Sequence, residues 1–315
     1  MRIVKALLVL FAVLAVAAGG GLATWVWWQD PDALVEGPLP DYRAVGVIAV
    51  AKRVPAGDRR YLQVRLEASD GDVATFVVSL PAERGSARLP VLIVLAGLRS
   101  GEATLDRTPW HGPNAIVSYD YPFDPRRWRY GSTRERVELA YNAARRIPNQ
   151  VAAMTRWALT QDWADRERAA YTGVSLGAVV LPAVLRRAVA VGLRPRPTVI
   201  AYGGTDIAAM AYPNYGKIEP AWLRRLAAWG TGLLLYAIEP ARHLRHLEGE
   251  FLLINSFEDE RIPRASVEGL RSLTPAPKEF VTLAGLHIDP KRPEVIARAL
   301  DPGRDWLIGL GAINP

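Results

Sequence analysis

Gly173-Val174-Ser175-Leu176-Gly177 lies between an apolar run that is predicted as a strand, residues 169–172, and a helix candidate at residues 178–191. A serine flanked by glycines at such a strand-to-helix turn is typical of a nucleophile elbow, where the hydroxyl stands exposed on a sharp turn. The two glycines allow the strand and the helix to approach closely. The pentapeptide alone is a weak signal because it also occurs by chance, so its position between these elements carries the prediction.

Short apolar runs without alternation recur along the chain, and such runs fit strands that are buried on both faces. Helical patterns lie between them, which predicts an α/β fold with a mostly parallel sheet and helices on both faces. The strand candidates are residues 91–95, 115–117, 169–172, 198–202, 251–254 and 280–283. The helix candidates are residues 149–160, 178–191, 265–273 and 294–300.

The sheet is predicted to begin with antiparallel strands. Residues 43–50, 61–67 and 73–80 are rich in β-branched residues, and the second run alternates apolar and polar positions. Asp70-Gly71-Asp72 separates the last two runs and is a hairpin signal. We therefore expect one domain over residues 43–315, preceded by a Pro/Gly-containing linker at residues 30–42.

Residues 205–247 interrupt the alternation of strands and helices. They contain Tyr212-Pro213-Asn214-Tyr215-Gly216 and then an apolar, Trp-containing stretch at residues 221–238. Connections of this length are usually functional, which predicts a lid or cap over a pocket. Two ordinary helices packed on the sheet are the alternative interpretation.

The N-terminal residues 1–29 are predicted as a membrane anchor or a signal peptide. Arg2 and Lys5 precede an uncharged run of 23 residues, 6–28, which is long enough to span a hydrocarbon core of about 30 Å. Trp25, Trp27 and Trp28 at its far end are typical of a membrane interface. Ala15-Val16-Ala17 resembles a cleavage site, so a cleaved signal is the alternative. Both interpretations predict export, with the domain anchored facing the periplasm or extracellular side, or secreted.

Charge and cysteine content exclude several classes of function. The formal charge is +7, but the sequence has no basic run of five or more residues, which argues against a nucleic-acid partner. Because cysteine is absent, disulfides, thiolate metal sites and a cysteine nucleophile are excluded.

A serine nucleophile needs a base, and the chain has four histidines. His287 follows the last strand candidate on a glycine-containing loop and is the predicted base. His243 and His246 lie three residues apart in an Arg-rich helical stretch and are expected on its surface. No third ligand accompanies them, so no metal site is predicted. His111 lies in a Pro/Gly turn.

The base in turn needs a carboxylate to fix its tautomer, and the oxyanion of the reaction needs hydrogen-bond donors. Glu258, Asp259 and Glu260 compete for the first role after the strand candidate 251–254. The chain order of serine, acid and then histidine fits any of the three. The predicted donors are the backbone N–H of Leu176 and one N–H from the loop 96–98.

From about residue 43 onward, the chain resembles the α/β-hydrolase superfamily and is most similar to its esterase and prolyl-oligopeptidase-like branches. The matching pieces are the Asp70-Gly71 hairpin, residues 90–98, Tyr119-Asp120-Tyr121-Pro122, the Ser175 turn, Asp259-Glu260-Arg261-Ile262-Pro263 and His287. One departure is Ala96-Gly97, where the family often has His-Gly. A His-Gly-Gly-Gly motif is also absent from the sequence, which argues against the hormone-sensitive-lipase-like branch.

The resemblance implies a division of roles among the candidate residues. Asp259 precedes a hydrophobic-Pro pair by the family's spacing, which favours it as the acid, and Leu98 becomes the second oxyanion donor, with Gly97 letting the backbone approach the substrate. Ser175, His287 and Asp259 then form the triad of an esterase that acts on a small ester or acyl substrate through an acyl-enzyme without a cofactor. The alternatives are a peptidase of the prolyl-oligopeptidase type and a non-catalytic binding scaffold.

Overall fold

A nine-stranded sheet forms the centre of the molecule in the part of the chain that the structure describes. The structure is a computed structural model that describes residues 20–21, 24–26, 29–50, 59–97, 101–108, 110–289 and 292–315. The strands are β1 Tyr42–Val50, β2 Arg59–Ala68, β3 Val73–Pro81, β4 Leu89–Leu95, β5 Ala115–Asp120, β6 Ala164–Val174, β7 Thr198–Ala201, β8 Phe251–Ser256 and β9 Lys278–Leu283. Their order in the sheet is β1-β2-β3-β5-β4-β6-β7-β8-β9.

The sheet changes from antiparallel to parallel pairing along this order. Strands β1, β2, β3 and β5 pair in antiparallel fashion, whereas β5, β4, β6, β7, β8 and β9 are parallel. The β2–β3 hairpin turns at Gly71, whose φ of 81° lies in the left-handed region that glycine adopts without strain. The predicted fold class, a mostly parallel sheet with antiparallel N-terminal strands, is confirmed.

Helices cover both faces of the sheet. They are α1 Pro31–Val35, α2 Gly101–Leu105, α3 Pro125–Tyr130, α4 Thr133–Thr160, α5 Leu176–Ala190, α6 Ile207–Asn214, α7 Ala221–Leu234, α8 Pro240–His243, α9 Arg264–Leu273 and α10 Pro293–Gly309. Strand β4 shows the layering, because Val91 and Ile93 belong to the core under α4 and α5. Leu92 and Val94 belong instead to the core under α2 and α10.

The segment predicted as a linker, residues 30–42, is docked on the domain. Arg187 of α5 is buried and donates hydrogen bonds to the carbonyl oxygens of four consecutive residues, Val35, Glu36, Gly37 and Pro38. Asp32 also pairs with Arg186 at 2.6 Å. Burial lowers the pKa of Arg187, but the carbonyl oxygens supply the acceptors that a buried cation needs. These residues are therefore part of the folded domain.

The predicted membrane segment, residues 6–28, falls largely outside the described residues. Among the residues that the structure does describe, no helix is both long enough and apolar enough to cross a membrane.

His243 differs from its prediction as a surface residue. It is fully buried, and its Nε2 donates to the Ala237 carbonyl oxygen at 2.8 Å. Burial lowers the pKa of His243 to about 4 because a charged imidazolium loses its hydration there. The hydrophobic neighbours Leu244 and Leu247 anchor this turn in the core, whereas His246 is exposed, as predicted.

We expect His243 to make the fold less stable as the pH falls from 6.5 to 4. The unfolded chain binds a proton near pH 6.5, whereas the folded chain does so only near pH 4. This difference removes about 3 kcal/mol of unfolding free energy across that window and nothing above it. The variant His243→Gln keeps a donor near Ala237 but does not titrate. Urea denaturation at several pH values should therefore show that, between pH 6.5 and 4, it loses less unfolding free energy than the parent chain by this amount. Exposed His246→Gln is the control, and equal pH slopes for His243→Gln and the parent chain would contradict the assignment.

Candidate active site

Ser175 lies on a sharp turn between β6 and α5. Its φ of 56° and ψ of −117° place a non-glycine residue in a strained region of backbone space. A Cβ at Gly177 would lie 1.9 Å from the carbonyl oxygen of Leu95, and a Cβ at Gly173 would lie 2.8 Å from the oxygen of Gly177. Both positions are therefore restricted to glycine by backbone contact, which is the reason for this pentapeptide.

The three side chains predicted as a triad lie together in one hydrogen-bonded row. Ser175 Oγ is 2.9 Å from His287 Nε2, and His287 Nδ1 is 2.8 Å from Asp259 Oδ2. The side chains of His287 and Asp259 are only 3% and 1% exposed, so this pair is shielded from water. An imidazole Nδ1–H that donates to the carboxylate leaves Nε2 free to accept the serine proton.

The three competing acids after β8 have separate contacts. Asp259 reaches the ring of His287, whereas Glu260 accepts from the backbone N–H of His287 at 2.8 Å. Glu258 accepts from the backbone N–H of Gly285 at 2.7 Å. Burial opposes the ionisation of Glu260, but the hydrogen bonds from the backbone N–H groups of His287 and of Glu260 itself together outweigh it, so the pKa of that carboxyl lies below its usual range. The two glutamates thus hold the histidine loop, and Asp259 is the one of the three acids that hydrogen-bonds to the imidazole.

Asp259 is itself fixed by its own loop. Its second oxygen, Oδ1, accepts from the backbone N–H groups of Arg261 and Ile262 at 2.8 and 3.0 Å. These two bonds orient the carboxylate so that Oδ2 points at the imidazole.

Tyr202 is a site residue that the sequence did not reveal. It follows β7 with a φ of 55°, and its ring meets the edge of the His287 ring with the centroids 5.3 Å apart. Burial, together with the nearby charge of Asp259, raises the pKa of this phenol. The residue closes one side of the imidazole, and no motif in the sequence marks that role.

Of the two predicted oxyanion donors, the structure describes Leu176 but not Leu98. Leu176 is the first residue of α5, so its N–H is one of those at a helix start that have no partner within the helix. Gly97 follows β4, and the loop there is held by the Tyr121 hydroxyl, which donates to the Ala96 carbonyl oxygen at 2.6 Å. Leu98, the second predicted donor, lies outside the described residues.

A cavity of about 780 Å³ opens beside Ser175 and His287. One part lies under the helices of residues 205–247, with Phe123, Ile147, Met210, Tyr215 and Leu235 in its wall. The other part lies between the sheet and α10, where Val94, Trp110, Ile254, Leu300 and Leu307 form the wall. Apolar side chains dominate both parts. The site therefore suits a substrate with apolar groups on either side of the reacting bond.

The insertion predicted as a lid or cap, residues 205–247, roofs the first part of this cavity. It consists of α6, α7 and α8 with two short 3₁₀ turns, Tyr236–Ile238 and Leu244–His246. Movement of these helices as a lid stays a prediction.

No metal cluster is found among the residues that the structure describes, since no three or more His, Asp or Glu side chains gather where they could hold a metal ion.

We compared the chain with known proteins in order to identify its fold. No protein-family model matches the sequence, and no curated protein matches it either. Among solved structures, the chain is similar to the acetyl xylan esterase from Paenibacillus sp. R4, with a TM-score of 0.59 and 15% identity over 88% of this chain and 93% of that one. Acetyl xylan esterase 1 from Thermoanaerobacterium sp. JW/SL YS485 gives a TM-score of 0.58 and 12% identity over 85% and 88%.

A third similar structure is a puromycin-hydrolyzing peptidase from Mycobacterium tuberculosis. It gives a TM-score of 0.58 and 15% identity over 79% of this chain but only 39% of the peptidase. At these identities the three structures share their fold with this chain. The chain thus has the α/β-hydrolase fold, as predicted.

Proposed function

We propose that this chain is a serine hydrolase that cleaves carboxylic esters. The observation that carries the proposal is the row Ser175–His287–Asp259, hydrogen-bonded along its length and set on the strained turn after β6. A buried histidine–aspartate pair beside a serine activates a hydroxyl that is otherwise a weak nucleophile. The adjoining cavity supplies room for an ester of moderate size.

The geometry supports a two-step reaction. Ser175 Oγ transfers its proton to His287 Nε2 as it attacks the acyl carbon, and the backbone N–H of Leu176 stabilises the oxyanion that forms. His287 then protonates the leaving alcohol oxygen, which gives an acyl-enzyme on Ser175. A water molecule, deprotonated by His287, then attacks the acyl carbon of the acyl-enzyme, and Ser175 Oγ leaves as the acid is released. Asp259 stabilises the imidazolium throughout, and Leu98 is our proposed second donor to the oxyanion.

Two facts favour an ester over an amide as the substrate. Two of the similar structures are acetyl xylan esterases, and they match this chain across most of both lengths. The peptidase matches over less than half of its own length. The apolar walls beside Ser175 also offer few polar partners for the backbone of a peptide.

The uncharged run at residues 6–28 further supports our proposal that the hydrolase is exported, either secreted or anchored in a membrane.

A fluorophosphonate probe tests the proposed function directly. We expect one covalent adduct on Ser175, formed as Oγ displaces fluoride from phosphorus, and mass spectrometry of the labelled peptide maps it. Ser175→Ala is the matched control and should carry no adduct. A p-nitrophenyl ester should then show a burst of nitrophenol followed by slower turnover.

The remaining outcomes separate the alternatives. Preferential cleavage of aminoacyl p-nitroanilides over esters would replace the esterase proposal with a peptidase. A folded protein without any adduct at Ser175 would refute catalysis and favour a binding scaffold.

A further inference from the structure

Helix α7 presents an apolar face to solvent. Trp222, Leu226 and Trp229 are 64%, 52% and 48% exposed. Their spacing of four and three residues places them on one stripe of the helix. Two tryptophans and a leucine on one exposed stripe mark an interaction surface, because soluble proteins rarely leave such a patch open.

The opposite face of the same helix closes the cavity. Ala228 is buried, and Thr231 lines the cavity together with Leu235, the residue after α7. The Tyr215 hydroxyl lies 2.8 Å from Thr231 Oγ and ties α7 to the end of α6. One layer of helix therefore separates the exposed stripe from the interior beside Ser175.

One described residue of the N-terminal apolar run contacts this helix. Trp25, which belongs to the uncharged residues 6–28, donates from Nε1 to the Leu233 carbonyl oxygen of α7 at 3.3 Å. Its ring lies 5.7 Å from that of Tyr141, centroid to centroid, and it is partly exposed. Because Arg187 fixes residues 35–38 on the domain, only a short length of chain separates this contact from a fixed point. Trp25 and the apolar stripe of α7 are thus held side by side.

We propose that the surface formed by Trp25, Trp222, Leu226 and Trp229, here called the cap surface, docks on a lipid bilayer. Tryptophan favours the membrane interface, and an apolar run that enters the bilayer beside the cap surface brings this surface against the lipid. Arg225 within the stripe and Lys217 before α7 are exposed and suit anionic headgroups.

Docking through the cap surface also implies a class of substrate. With α7 on the bilayer, the cavity beneath it lies next to the lipid phase, and an ester dissolved in that phase reaches Ser175 with little transfer through water. This second part rests on the proposed esterase function, whereas docking itself does not.

The absence of cysteine allows a clean measurement of docking on the full chain. Trp229→Cys, labelled with a nitrobenzoxadiazole dye, reports on the cap surface in vesicles of equal parts phosphatidylcholine and phosphatidylglycerol. Leu310→Cys is the matched control, since Leu310 is also 48% exposed but follows α10 on the other face of the sheet. We expect doxyl-labelled lipid to quench the dye at 229 by about twofold or more, in line with insertion of the apolar face to about 5–10 Å. The dye at 310 should respond only to aqueous iodide.

Two results would overturn the proposal. Quenching by iodide at both positions would show that the cap surface stays in water. Shielding of position 229 from both quenchers would show that protein covers it, either residues 1–19 or a second copy of the chain.

A kinetic measurement separates docking from catalysis. The variant Trp222→Ser/Leu226→Ser/Trp229→Ser should hydrolyse a long-chain ester dissolved in the vesicles about tenfold more slowly, while a water-soluble butyrate ester is turned over at the parent rate. If the variant hydrolysed both esters at the parent rate, the proposed substrate class would be wrong. No hydrolysis of either ester by the parent chain would refute the esterase proposal and leave the quenching result standing.

Discussion

Asp259→Asn is expected to lower kcat for a p-nitrophenyl ester by about 10⁴-fold, the scale seen when a triad carboxylate becomes an amide. The asparagine keeps an oxygen for the N–H groups of Arg261 and Ile262, so the loop remains in place. Its amide nitrogen would face His287 Nδ1 and force the proton onto Nε2. That tautomer donates to Ser175 and can no longer act as its base.

The neighbouring glutamates provide matched controls for this substitution. Glu258→Gln and Glu260→Gln each replace a charge-assisted hydrogen bond to a backbone N–H with a neutral one, so we expect rates within about tenfold of the parent. Stopped-flow assays and thermal unfolding of all three variants separate a catalytic loss from a folding loss. A parent-like rate for Asp259→Asn, or an equal loss in Glu260→Gln, would show that the acid has been assigned to the wrong residue.

Gly177→Ala is expected to destabilise the fold by more than about 3 kcal/mol, at the upper end of the cost of overpacking. The added methyl would lie 1.9 Å from the Leu95 carbonyl oxygen and 3.0 Å from that of Ala96, and both are backbone atoms at the end of a central strand. Relief of this contact requires α5 and β4 to separate, which displaces Ser175 as well. Urea denaturation and the ester assay should therefore report a loss together.

Gly230→Ala is the control for this prediction. Gly230 lies inside α7, and a Cβ there meets no atom within 4 Å. Because alanine has the better helix propensity, we expect a gain of up to about 1 kcal/mol. If Gly177→Ala proved as stable as Gly230→Ala, the close approach of helix and strand at the elbow would be wrong.

The strands were predictable because their pattern reports burial directly. Each of the described strands overlaps a predicted run, and most errors are a few residues at an end. Helix α4 was recognised only from residue 149, although it begins at Thr133, because polar residues hide its first half and Pro148 lies inside it. Ser132 and Glu135 form a capping box there, which was the available signal for its start.

The site residues that belong to a local sequence motif could be predicted, whereas those defined only by tertiary contacts could not. Ser175 and His287 were predicted from a pentapeptide and a loop position, and the structure places them in contact. The choice among three consecutive acids depended on family resemblance, since only the turn of the loop directs Asp259 at the imidazole. Tyr202 was missed because its contact with His287 joins two loops that lie far apart in the sequence.

The contact of Arg187 with residues 35–38 shows that the folded part of the chain begins upstream of residue 43, the start predicted from the sequence. A fragment that starts at β1, where the sequence pattern of the domain begins, would lack the four carbonyl oxygens that this guanidinium binds. The cation would then remain in the core without acceptors, or the end of α5 would have to open to water. The folded part of the chain therefore extends upstream of β1 at least to Asp32, which pairs with Arg186, and truncation sites for crystallisation or directed evolution belong before that residue.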